Sequence, residues 1–198
     1  MGRLSTISSF FGKNIKISIF GESHGPAIGV VIDGLPSGFS IYQEKLLKDM
    51  ARRRPSSQSY STKRREPDDV EILSGYYNDR TTGTPLCAMI RNKDTRSKDY
   101  SELESLMRPG HADYTGYMRY KGYNDISGSG HFSGRLTAPL VFAGSLISQI
   151  LINSKIFIGS HIDSIFDKHD LRFNGTNVTE EQLNNLKYMD IPVNDLSC

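Results

Sequence analysis

Cysteine is scarce in this 198-residue sequence: Cys87 and Cys198 are the whole complement. Two isolated thiols supply neither a disulfide framework nor a zinc site. Long apolar runs are missing too. Residues 139–152 form the most apolar stretch, shorter than the roughly 18 residues of a membrane span and interrupted by Gly144, Ser145, Ser148 and Gln149. Residues 1–16 lack the basic region and apolar core of a secretory signal. Internal repeats and low-complexity segments are absent. So are both phosphate-loop templates: there is no G-x-x-x-x-G-K-[ST], and Gly128, Gly130 and Gly134 do not space as G-x-G-x-x-G. These absences lead us to expect a cytoplasmic protein with no membrane association.

An overall excess of charge is also lacking, with a net charge of +2, but its distribution is uneven. Residues 1–65 hold eleven Lys/Arg against four Asp/Glu, whereas residues 66–154 hold nine against eleven and residues 155–198 four against seven. The first third therefore attracts anions. Six of its basic residues, Arg52, Arg53, Arg54, Lys63, Arg64 and Arg65, fall within fourteen positions. Cations suit a helix C-terminus, which accounts for one or two of them. The rest repel one another unless an anion lies among them, either a phosphorylated small molecule or a nucleic-acid backbone. A nucleic-acid strip over Arg52–Arg65 would lack interleaved aromatics, with Tyr60 alone available, and would leave the loop histidines unexplained.

Ile15, Ile17 and Ile19 alternate with polar residues, which predicts a strand with one buried face. A second strand is expected over Ile28–Ile32, so that Ser23 and His24 lie on the tight loop between them, flanked by glycines. Ser40 and Gln43 have capping-box spacing, predicting a helix that Pro55 ends. Further strands are expected over Val70–Ser74, Pro85–Ile90 and Lys155–Ile162. Turns are expected at Thr81–Thr84, Asn92–Asp94 and Asn174–Gly175. Short helices are expected from Ser101 and from Thr179, each with a capping-box partner three residues on. Tyr114, Tyr117, Tyr120 and Tyr123 recur every third residue, which on a helix makes an aromatic stripe suited to packing. Ile191–Val193 reads as the start of another element.

The chemistry concentrates in Arg108-Pro109-Gly110-His111-Ala112-Asp113 and in Gly128-Ser129-Gly130-His131-Phe132-Ser133-Gly134-Arg135-Leu136-Thr137, which leads into the apolar helix. Glycines let backbone N–H groups approach an anion, and a helix start leaves donors unpaired. The same residues also fit a plain connection, with Thr137 as N-cap and Pro139 in the first turn.

Taken together, the motifs resemble the chorismate synthase family. The resemblance rests on Phe20–Gly25 with Ile28–Gly34, on Arg52–Pro55, on Arg64–Asp68 with Val70–Gly75, and on Thr81–Pro85. It continues through Asp94–Tyr100 and Arg108–Thr115, all in order over about residues 5–165. It implies an α+β fold, a β-α-β sandwich with a helical layer between two antiparallel sheets, incomplete in this chain. Residues 1–198 would then be the N-terminal part of a single domain.

The resemblance further implies conversion of 5-enolpyruvylshikimate-3-phosphate to chorismate and phosphate. That lyase reaction needs reduced FMN, with NADPH as the candidate reductant, in a homotetramer that binds no nucleic acid. His24 and His111 would be catalytic. Arg53, Arg54, Arg135 and Ser23 would bind substrate or NADP, and His131, Phe132, Ser133 and Arg108 would bind FMN. The triplet His131-Phe132-Ser133 replaces an Arg-Ser-Ser found in many members, and Ser59 stands where some carry arginine. The family's second half supplies further flavin and substrate contacts, so the alternatives are an inactive fragment or a basic nucleic-acid-binding module using Arg52–Arg65.

Overall fold

The computed structural model describes residues 9–55, 66–93 and 106–194. The chain divides into two compact units, residues 1–146 and 147–198.

The first unit is built on a five-stranded antiparallel sheet in the order β1-β2-β3-β7-β4. Its strands are β1 (Phe10–Phe11), β2 (Lys16–Gly21), β3 (Ala27–Asp33), β4 (Val70–Ser74) and β7 (Leu86–Arg91). The two central strands, β3 and β7, run Ala27 opposite Arg91 through Ile32 opposite Leu86. Alternate residues point to one face. Ile28, Val30, Ile32, Leu86, Ala88 and Ile90 are accordingly all buried, and Ile17 joins them from β2. Gly29, on the other face, leaves room for the Phe20 ring, which a Cβ there would strike.

Helix α1 (Gln43–Arg53) contributes Leu46 and Met50 to the core. Helix α3 (Thr137–Asn153) contributes Ala138, Phe142, Ala143 and Leu146. Leu46, Met50, Val70, Ile72 and Phe142 line one cavity, where α1, β4 and α3 meet. Asp49 is buried on α1, where its Oδ2 accepts from Ser145 Oγ at 2.8 Å and from Lys45 Nζ at 2.9 Å.

Between β4 and β7 lies a ribbon, β5 (Tyr76–Tyr77) against β6 (Arg80–Thr81). It corrects one expectation. Ser40 does not cap α1: its backbone bridges to Arg80, and the helix starts beyond Tyr42 with no side-chain cap. The stop before Pro55 is as expected. Thr137 likewise is not an N-cap. A 3-10 turn, Gly134–Leu136, precedes α3 and is capped by Ser133, whose Oγ accepts from Arg135 N at 3.3 Å.

Helix α2 (Asp113–Tyr120) carries three of the four spaced tyrosines. Tyr114, Tyr117 and Tyr123 are exposed rather than packed, and Tyr120 tilts against Phe132. The helix expected from Ser101 lies outside the described residues, as do Ser59 and Lys63–Arg65.

In the second unit, Lys155–Ile162 does not form a strand. Its Ile156 and Ile158 are exposed, and no strand pairs with the segment among the described residues. The pairing falls instead in a hairpin of β8 (Ser164–Ile165) and β9 (Lys168–His169). Helix α4 (Glu180–Lys187) has the expected capping box between Thr179 and Gln182, and Asn174 closes the expected turn. Ile191–Val193 starts no strand; Pro192 O accepts from Ile162 N at 2.8 Å.

Candidate active site

The β2–β3 connection, Glu22–Pro26, carries Ser23 and His24. Gly25 N donates to Glu22 O at 3.1 Å, closing a turn around His24. Ser23 is buried, and its N–H donates to Gly130 O at 3.1 Å. This bond brings the loop against Ser127–Phe132, where Gly128, Ser129 and Gly130 all have positive φ. The Gly128 backbone faces the His24 imidazole so closely that a Cβ would lie 1.9 Å from two ring atoms. Glycine is required at that position for its space as much as for its φ of +56°. His131 adds a second tie: its Nδ1–H donates to Gly21 O at 3.0 Å.

His111 comes from the turn before α2. Its Nδ1–H donates to Asp113 Oδ1 at 2.9 Å. Asp113 also takes a two-pronged contact from Arg108, Nε to Oδ2 at 2.8 Å and Nη2 to Oδ1 at 2.9 Å. The hydrogen-bonded Arg108 guanidinium holds the Asp113 carboxyl well below the usual carboxylate range. Arg108 Nη2 reaches on to Ser129 Oγ at 3.0 Å. The two histidine loops therefore meet at one segment, His24 on Gly128 and the His111 cluster on Ser129.

Behind the His24 loop lies a buried ionic cluster. Arg135, 6% exposed, pairs with Asp68, approaches Glu66 at 3.7 Å, and donates from Nε to Asn92 Oδ1 at 3.1 Å. Arg53 joins through Nη2 to Asp68 at 3.2 Å. Asp68 is thus an anion lying among the basic residues, and it comes from the chain itself. Arg54 differs: it has no ion-pair partner among the described residues, and its Nε is buried without a hydrogen bond. Phe132 packs into α2, its ring in the space that Gly116 leaves open.

The structure gathers His24, Ser23, His111, Arg108, His131, Phe132 and Ser133 around residues 127–134. It sets Arg53 and Arg135 in the ionic cluster beneath them. Asp113, Asp68, Asn92 and Gly128 are the members to which sequence reasoning alone assigned no individual role. Asp113 had a signal, since an acid two residues after a loop histidine is placed to orient it. Asn92 read only as a turn residue.

Several known proteins are similar to this chain. Curated chorismate synthases from Albidiferax ferrireducens and Dehalococcoides mccartyi are 52% identical over 141 residues and 45% identical over 145. Those matches take in 71% and 73% of this chain but only 38% and 40% of the relatives, so the chain spans about two fifths of their length. A chorismate synthase crystal structure shares the fold, with a TM-score of 0.64 at 23% identity over 91% of this chain and 49% of the other. The α+β class and the antiparallel sheet agree with that likeness. The family model described as chorismate synthase matches residues 15–193, a span that includes both histidine loops and the ionic cluster. On that match the chain belongs to the chorismate synthase family.

Proposed function

We propose that the chain supplies the phosphate-eliminating half of a chorismate synthase, a lyase of aromatic amino-acid biosynthesis. In this reading 5-enolpyruvylshikimate-3-phosphate loses inorganic phosphate and one ring proton by 1,4-anti elimination, with no net redox change. The observation that carries the reading is the meeting of His24 and the His111–Asp113–Arg108 cluster on the Gly128–Ser129 segment.

Breaking the ring carbon–oxygen bond leaves negative charge on phosphate, which a proton and nearby cations stabilise. His24 delivers the proton. Arg54, free of an ion-pair partner among the described residues, meets the phosphate directly. Arg53 and Arg135 set the local potential from within the ionic cluster, and Ser23 fixes the loop. His111 is oriented by donating Nδ1–H to Asp113, which leaves its Nε2 for other partners.

The residues fit a reduced flavin. His111 and His131 each engage a neighbour through Nδ1 and carry no Nε2 hydrogen bond among the described residues. A Cβ at Gly110 or Gly134 would meet open space. His131, Phe132, Ser133 and Arg108 would hold the group. Reduced FMN, when bound, supplies electron density to the ring that is losing phosphate. NADPH as its reductant, a homotetrameric assembly and a cytoplasmic location belong to the same proposal.

The test is a chimaera in which the 141 aligned residues of this chain replace those of the Albidiferax ferrireducens relative. Under nitrogen, with reduced FMN and the enolpyruvyl phosphate, it is expected to release phosphate, and His24→Ala to lower the rate by roughly a hundredfold or more. No release from a folded, flavin-binding chimaera would overturn the reading.

A further inference from the structure

We propose that Asn92 is the positioning residue of the His24 loop. It follows β7 directly, and its side chain uses both ends at once. Nδ2 donates to Glu22 O at 3.0 Å and to Gly25 O at 2.8 Å, while Oδ1 accepts from Arg135 Nε at 3.1 Å. Its backbone N–H donates to Pro26 O at 3.1 Å. The partners fix the amide orientation, because a guanidinium can only donate and the two carbonyls can only accept.

This geometry makes a clasp. The two carbonyls flank Ser23-His24, so one amide group sets the width of the turn that presents the imidazole. The clasp is anchored, because Arg135 is itself held by Asp68 and Glu66 in the buried cluster. The loop is thereby referenced to the buried ionic cluster. Only a primary amide donates twice from one atom and accepts from the other at this distance. A carboxylate would keep the Arg135 contact and turn an oxygen against two carbonyl oxygens.

Asn92→Asp separates the clasp from a general stabilising role, because it preserves the link to Arg135. In the 198-residue chain, it is expected to shift the His24 ring resonances and to speed amide exchange at Ser23 and Gly25 about tenfold or more. His111 and the α4 amides should stay unchanged. Asn92→Ala should act in the same direction. Unaltered His24 resonances and loop exchange in folded Asn92→Asp would overturn the proposal. So would global unfolding of both variants, which would make Asn92 a core residue and not a clasp.

The bearing on catalysis rests on the reading given above, and the chimaera distinguishes the two. A loosened loop with undiminished phosphate release would support the clasp and remove His24 from catalysis. A lowered kcat with little change in KM would support both.

Discussion

His24 sits in a loop closed by neutral hydrogen bonds and by the Gly128 backbone pressed against its ring, whereas His111 sits in a loop closed by an ion pair. Behind the first lies a buried cluster in which Asp68 is wholly enclosed. The second is open at its rim, with the Arg108 side chain 37% exposed. Position is therefore set by shape and burial in one loop and by charge in the other. Such loops fail differently. A shape-set loop is sensitive to added atoms and to lost buried partners, and indifferent to salt. A charge-set loop tolerates volume changes but depends on ionisation and screening.

The largest effect is expected from breaking the buried support of the His24 side. Asp68→Ala would leave two enclosed guanidinium groups, Arg53 and Arg135, without the carboxylate between them. Removing one partner of a buried ion cluster costs about 3–5 kcal/mol. Urea denaturation at neutral pH reads this directly. A loss of less than about 1 kcal/mol would show that the cluster is not what holds that side.

Next is Gly128→Ala. One methyl group must displace the His24 imidazole at a position where φ is already positive. Overpacking of this kind costs about 1–3 kcal/mol. Gly134→Ala is the control, since nothing lies within 4 Å of its Cβ position. Its expected change is within about 0.5 kcal/mol. Nuclear magnetic resonance of the His24 ring should register Gly128→Ala and ignore Gly134→Ala. Equal responses would erase the distinction between a seat and a bystander glycine.

The same contrast explains how much was legible in the sequence. Local patterns carried well where the chain's own neighbours decide the structure. Alternation at Ile17 and Ile19 marks β2, and the Thr179–Gln182 spacing marks a capping box that forms. The same spacing at Ser40 misleads, because Arg80 takes the Ser40 backbone into a bridge. Residues 155–162 are apolar enough to read as a strand, but local composition cannot supply a partner strand. In the site, both histidines were legible as loop residues beside glycines. Asp113 was within reach of the same reasoning. Asn92 was not, because its partners lie 67 and 70 positions earlier and 43 later, and a single sequence does not reveal that β7 ends beside the β2–β3 loop.

The smallest expected effect sharpens the comparison from the charged side. Asp113 is held below the ordinary aspartate range in the folded chain by its hydrogen-bonded Arg108 partner. A carboxyl depressed on folding adds stability that is fully present above its unfolded value, about 4. That contribution fades as pH falls below 4 toward the depressed folded value. Asp113→Asn is therefore expected to cost about 1 kcal/mol at pH 7, the exposed face of Arg108 limiting the loss through screening. The gap between the two proteins should narrow steadily once pH drops beneath about 4, as protonation gives the unmodified carboxyl the same neutral form. Added salt at pH 7 should narrow it as well, while leaving the Gly128→Ala penalty where it was. If the Asp113→Asn difference ignored both acid and salt, His111 would be held by shape after all, and the two loops would share one mechanism.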